Sequence, residues 1–126
     1  MKLKKYHFKK VKSTNDTSLR LIKLGNSNGA ILTESQSKGR GQRNNKWISK
    51  KGNLFMSLFF QISKKISLNK IINLNISIIK NIISKKIRHK LTIKKPNDIL
   101  VKKKKLCGIL QETIFKNQNK FLIIGI

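Results

Sequence analysis

The stretch GAILTESQSKGRGQRNNKWISKKGNLFMSLFFQI, residues 29–62, reads as strand, loop, strand, and the rest of the chain is ordered around it. Gly29 to Thr33 is a compact apolar run of strand length. Asn53 to Ile62, rich in aromatic residues and bounded by Lys50-Lys51-Gly52-Asn53, is the strongest strand signal in the sequence. Between them, Thr33 to Trp47 holds two glycines, two arginines, two lysines, several amide side chains and the only tryptophan. Such a segment has little to add to a core. Gly39 and Gly41 flank Arg40, so the backbone is expected to reach positive φ there or to approach a ligand closely. Arg40 and Arg43 carry planar forks suited to carboxylate or phosphate. The loop is expected to close over an anionic, nucleotide-like ligand.

Working outward toward the N-terminus, Tyr6 to Val11 alternates as a short strand with Tyr6, Phe8 and Val11 inward. Ser13-Thr14-Asn15-Asp16 is a cluster of helix N-cap residue types, followed by Leu19, Leu21, Ile22 and Leu24 at helical spacing and by Gly25 as the stop. Toward the C-terminus, apolar residues at 68, 71, 72, 76, 79, 82, 83 and 87 form a wide stripe of helical period, predicting an amphipathic helix from Leu68 to Ile87 laid on a sheet. Leu91 to Ile93 opens a strand that Lys95-Pro96-Asn97-Asp98 interrupts with a turn and Ile99 to Val101 resumes. After the charged turn Lys102 to Lys104, Leu106 to Phe115 reads as one strand, and Phe121 to Ile126 as the last. Gly108 inside a strand points to close approach of a ligand or another backbone. The order of elements predicts an α+β domain with a mixed, mostly antiparallel sheet backed by helices.

At 126 residues the chain is expected to form one domain or a piece of one. Thirty basic residues against four acids give a formal net charge of +26, the sign that attracts polyanions. The lysines are spread along nearly the whole chain with abundant isoleucine and asparagine, a pattern of compositional drift and not of a dedicated nucleic-acid surface. The four acids are more informative. Asp16, Glu34, Asp98 and Glu112 each sit in a polar cluster: STND, TESQ, PND and GILQET. A single cysteine, Cys107, precludes an intrachain disulfide and makes no zinc spacing, and the expected location is the cytoplasm. The basic start MKLKKYHFKK lacks the apolar run of a secretory signal. The isoleucine-rich part from Ile66 to Ile83 is too interrupted by polar residues to span a membrane. His7 and His89 fall outside the clusters, so no nucleophilic triad forms. Asn44 stands where a dinucleotide fingerprint needs its third glycine, and no Gly-Lys-Ser/Thr ends the loop as in a Walker A motif. Taken singly, STND is a helix cap and PND a turn.

Taken together and in order, STN, TESQSKGRGQRNNKW, KKPNDILV, KLCGIL and IIGI resemble the catalytic domain of biotin protein ligases over essentially all 126 residues. The resemblance implies a fold related to class II aminoacyl-tRNA synthetases. It also implies a two-step reaction, in which ATP activates biotin to biotinyl-5′-AMP and the adenylate acylates a lysine of a biotin carboxyl carrier protein. ATP and biotin are the implied substrates and Mg²⁺ the implied helper on the phosphates. Carried over by residue, Ser13, Thr14 and Asn15 address the ureido ring and Gln36 contacts biotin. Gly39, Arg40, Gly41 and Gln42 form the loop over biotin and its adenylate, with Arg40 neutralising carboxylate or phosphate. Trp47 lies near the adenine, Asn97 and Asp98 form the active-site turn with Gly108 nearby, and Lys105 grips the ligand carboxylate or α-phosphate. No metal ligand is implied. The chain departs from the family pattern with Lys95 in place of a tryptophan, Gln42 in place of an arginine and Asn44 in place of a glycine. It is expected to be the N-terminal portion of the domain, without the later strands and small C-terminal barrel, and without a membrane or specific nucleic-acid partner. The related lipoate or octanoate transferases, a basic RNA-binding module and an inactive truncated fragment are the competing readings.

Overall fold

The computed structural model describes all residues from Met1 to Ile126, in two compact units. The first comprises residues 1–64 and 110–126, the second residues 65–109.

In the first unit, β1 (Lys5–Phe8), β2 (Asn28–Thr33), β5 (Phe55–Ile62), β9 (Leu110–Lys116) and β10 (Asn119–Gly125) form one sheet in the order β1-β2-β5-β10-β9. Only the β1–β2 pair is parallel. The connection between these two strands is α1 (Thr14–Lys23), as a parallel pair requires a crossover. Leu21 and Ile22 of α1 bury against Ile31, Phe59, Phe121 and Ile123 of the sheet, with Tyr6, Phe8, Leu19 and Ile114 around them. Leu24, read as part of the helix's apolar face, is exposed at the helix end, and Gly25 at φ +100° terminates the helix as expected. The first strand stops at Phe8 rather than at Val11. Val11 instead makes an isolated parallel bridge with Gln36, and Ser37 N–H and Lys38 N–H donate to the carbonyls of Val11 and Lys12.

The Thr33–Trp47 loop contains its own small hairpin, β3 (Gly39–Arg40) with β4 (Lys46–Trp47), joined through a 3₁₀ turn at Gln42–Asn44. Positive φ falls on Arg43 (55°) and Asn44 (59°), not on Gly39 or Gly41 as expected. The reason is the hairpin itself: Gly39 and Gly41 sit at its extended ends, while the reversal happens two residues later. Gly39 is required for space, since a Cβ there would stand 2.9 Å from Gln36 Nε2, from Ser49 Oγ and from the Trp47 carbonyl.

In the second unit, α2 (Leu68–Ser84) packs against β6 (Leu91–Lys94), which leads the antiparallel sheet β6-β7-β8 with β7 (Asp98–Val101) and β8 (Lys104–Gly108). Ile76, Leu91, Ile99 and Ile109 are its buried core. The α2 stripe is shallower than its period implies: it ends at Ser84, only Ile76 is fully buried and Ile82 is 60% exposed. Ile99 does not resume the strand of Leu91 but returns antiparallel to it, because the turn at Lys95–Asp98 reverses the chain. Leu106 to Phe115 is two strands. It breaks at Ile109, whose N–H donates to the Asn97 carbonyl (2.8 Å), and Gly108 is the last residue of β8. The α+β class and the mixed, mostly antiparallel pairing stand as expected. The strands, however, divide among three sheets, and each helix serves its own unit.

Candidate functional site

Nine of the expected site residues lie in the first unit and four in the second. In the first, Ser13 caps α1, its Oγ accepting from Asp16 N–H at 3.3 Å, so the short polar residues that open the helix are turned inward: Ser13, Thr14 and Asn15 are all at most 5% exposed. Gln36 Oε1 accepts from Thr14 N–H (2.7 Å) and lies 3.2 Å from Thr14 Oγ1, while its Nε2 donates to Ser49 Oγ (3.2 Å). The loop is thereby tied to the start of α1 by side chain as well as backbone.

Ser57, on β5 and fully buried, stands 2.6 Å from Asn15 Oδ1 and 2.7 Å from Thr14 Oγ1. A hydroxyl has one proton and an amide oxygen only accepts. Ser57 therefore donates to Asn15 and takes its second bond from the Thr14 hydroxyl. Asn15 Nδ2 donates to Glu112 Oε2 (2.8 Å) and to the Leu110 carbonyl (3.4 Å), so both ends of this amide are engaged.

Glu112 also receives Arg40 in bidentate fashion, Nη1 to Oε1 and Nη2 to Oε2, both at 3.0 Å. Arg40 Nε donates to Asp16 Oδ1 at 2.9 Å, with Nη2 at the same distance from that oxygen. These pairs are about a quarter exposed, and they hold the guanidinium more firmly protonated than usual. The hydrogen bond to Glu112 is the largest cause, burial opposing it. Gly41, Gln42 and Trp47 are half-buried along the hairpin. Trp47 pairs with Gly39, and the Gln42 carbonyl accepts from Asn45 N–H (3.0 Å).

In the second unit, Asn97 and Asp98 occupy the β6–β7 turn. Lys105 Nζ lies 3.1 Å from Asp98 Oδ1, with the lysine side chain 43% exposed and the aspartate 16%. Gly108 pairs with Asp98 across β7 and β8. Cys107, beside them, has its thiol pushed up to about 11, first by burial and then by the negative charge of Asp98, with Lys105 partly opposing. In the unfolded chain the thiol loses its proton near its ordinary value of 9.0, before the folded one does. Stability should therefore fall as pH rises through that window. Thiolate absorbance should titrate about two units higher in the native protein than in urea. Coincident titrations would remove the burial argument.

Sequence reading missed Ser57, Ser49 and Gly125, and did not place Asp16 and Glu112 in the site. Ser57 had a signal: with period two, Phe55, Ser57 and Phe59 share the inward phase of the most apolar strand, and a serine there needs a polar partner. Glu112 was flagged only as one of four scarce acids. Three of those four, Asp16, Glu112 and Asp98, are engaged by Arg40 or Lys105. There is no group of three or more His, Cys, Asp or Glu side chains able to hold a metal ion.

This arrangement of helix, sheets and loop is shared with biotin protein ligases of known structure. The ligase of Aquifex aeolicus, solved in complex with biotin and ATP, is 27% identical with a TM-score of 0.79, over 98% of this chain and 51% of that one. The biotin acetyl coenzyme A carboxylase synthetase of Helicobacter pylori, solved with bound biotinylated ATP, superposes with a TM-score of 0.77 at 23% identity, covering 99% of this chain and 61% of that one. The fold is thus that of a biotin-ligase catalytic domain. Residues 7–126 match the biotin/lipoate A/B protein ligase family, and the chain belongs to it. The bifunctional ligase/repressor BirA of Escherichia coli K12 is 33% identical over 116 residues, 90% of this chain. The chain spans about a third of the length of the curated relatives it matches, 36% in that case.

Proposed function

We propose that the full-length protein is a biotin protein ligase acting in the cytoplasm. A biotin carboxylate oxygen attacks the α-phosphorus of ATP, pyrophosphate leaves, and biotinyl-5′-AMP forms. The amine of a lysine on a biotin carboxyl carrier protein then attacks the acyl carbon and AMP leaves.

The observation that carries this reading is the clustering of Thr14, Asn15, Gln36 and Arg40 in one hydrogen-bonded set, from segments far apart in sequence. Hydroxyl and amide groups suit a ureido ring, which offers N–H donors and a carbonyl acceptor. Lipoyl and octanoyl chains offer no such polar ring. The family covers biotin and lipoate ligases alike, and the identity to BirA and to the biotin-complexed Aquifex aeolicus ligase supports the same choice.

We assign Ser13, Thr14, Asn15 and Gln36 to recognition of the ring, and Gly39, Arg40, Gly41, Gln42 and Trp47 to the loop over ligand and adenylate. Arg40 anchors that loop, because two carboxylates already hold its charge. Lys105, with Asn97, Asp98 and Gly108 around it, meets the ligand carboxylate or α-phosphate, where positive charge stabilises the developing transition state. The carboxylates present do not form a resident metal cage, so Mg²⁺ is assigned to the ATP substrate as its complex. No helix is long and apolar enough to cross a membrane. The acceptor is a carrier domain presenting a lysine.

The full-length chain is expected to exchange labelled pyrophosphate into ATP only when biotin is present. Exchange with lipoate or octanoate and none with biotin would overturn the assignment.

A further inference from the structure

We propose that Glu112 is a positioning residue of the first unit, setting Arg40 and Asn15 from a single carboxylate. The activity arm of this proposal rests on the ligase reading above. Its geometric arm does not.

The two oxygens of Glu112 take three charge-assisted hydrogen bonds: two from Arg40 at 3.0 Å and one from Asn15 Nδ2 at 2.8 Å. Each has a distinct consequence. The β3–β4 hairpin has only two residues per strand, too few to hold its own geometry. Its position depends on side-chain anchors, and the Arg40 fork is caught between Asp16 on α1 and Glu112 on β9. One cation with two anions leaves a cluster of net charge minus one. A ligand anion therefore finds no excess positive charge at Arg40, and the guanidinium contributes by fixing where Gly39, Gly41 and Trp47 stand.

The bond to Asn15 does something different. By engaging Nδ2, Glu112 dictates which end of the amide faces Ser57. Oδ1 is then an acceptor, Ser57 must donate to it, and Thr14 must donate to Ser57. One carboxylate thus sets the donor and acceptor sense of a chain that ends at Thr14, whose backbone N–H meets Gln36. Glu112 itself needs no contact with ligand.

Glu112→Gln preserves shape but cannot accept at both ends: its amide nitrogen would face an Arg40 Nη–H in either orientation and Asn15 Nδ2–H as well in one, and its neutral oxygen accepts more weakly than a carboxylate. In the full chain the KM for biotin is expected to rise about tenfold with kcat within about threefold, the pattern of lost ground-state positioning. Glu34→Gln, the same charge change at an exposed loop acid, is expected to leave both unchanged. Arg40→Gln combined with Glu112→Gln should cost less than the sum of the two single changes, since the two share one interaction while each keeps a further partner of its own, Asp16 for Arg40 and Asn15 for Glu112. In nuclear magnetic resonance spectra, the Asn15 side-chain amide and the Arg40 Nη–H groups, which face Glu112, should lose protection from solvent exchange in Glu112→Gln. The backbone amides of Leu122 and Ile123 should keep theirs.

A folded Glu112→Gln protein with unchanged KM overturns the activity arm, as does full additivity in the double variant. Unchanged protection of Asn15 and Arg40 overturns the proposal altogether. A wild-type protein without biotin-dependent exchange defeats the ligase reading, while the spectra still decide the positioning claim.

Discussion

Lys105→Ala is expected to reduce biotin-dependent pyrophosphate exchange by about a hundredfold or more, the scale on which single charge-stabilising groups act in transition states. Lys105 is one of thirty basic residues, yet it is the one paired with Asp98 on the neighbouring strand. That pair has no net charge, and its lysine side chain is still 43% exposed, so an incoming carboxylate or phosphate can share it. Asp98 is only 16% exposed, so removing its partner is expected to cost some stability, and exchange is compared at a temperature where circular dichroism shows the variant folded. A control from the same lysine run must respect the backbone: Lys103 lies at φ 63°, where asparagine is tolerated better than alanine. Lys103→Asn should change exchange less than twofold. Equal losses in the two variants would mean that general positive charge, and not the geometry of Lys105, supports activity.

Gly125→Ala is expected to cost roughly 3 kcal/mol, by combining overpacking with the loss of buried polar bonds. For a chain of this size that corresponds to a fall in Tm of about 10 °C. Gly125 is fully enclosed on β10, paired with Ser57 of β5 and Leu110 of β9. A Cβ built there would overlap the amide of Asn15. That amide cannot simply turn away, because Ser57 holds its oxygen and Glu112 its nitrogen. Relieving the clash means breaking both. Shortening the partner in Gly125→Ala/Asn15→Ser should recover at least half of the lost Tm, a non-additivity expected only of residues in contact. A single Gly125→Ala protein melting within 2 °C of the wild type would contradict the packing described.

Gly125 and Ser57 also illustrate where sequence reading reached its end. The strands were legible because apolar residues alternate or run in blocks, and α1 because STND supplies cap residues ahead of Leu19, Leu21 and Ile22. The family motifs were legible because they keep their order. Pairing was not. Leu106 to Phe115 reads as one strand by composition, yet the chain leaves the second unit at Ile109 and enters the first at Leu110, and no local property of KLCGILQET marks that exchange. In the Thr33–Trp47 loop, positive φ is expected at the glycines, the residues best able to adopt it. The structure places it on Arg43 and Asn44, because the β3–β4 register and not local preference chooses the reversal point.

By itself the sequence determined most of the elements, their α+β class, the family and the short list of polar residues worth attention. Propensity, capping and periodicity are properties of neighbours along the chain. Only the tertiary structure decided what those residues do for one another. The partnership of Arg40 with Glu112 spans 72 positions and that of Asn15 with Glu112 spans 97, distances over which no sequence pattern carries a hydrogen bond. The Thr33–Trp47 loop reads in sequence as a lid closing over an anionic ligand. Folded, its Arg40 is met by two of the chain's four carboxylates, Asp16 and Glu112.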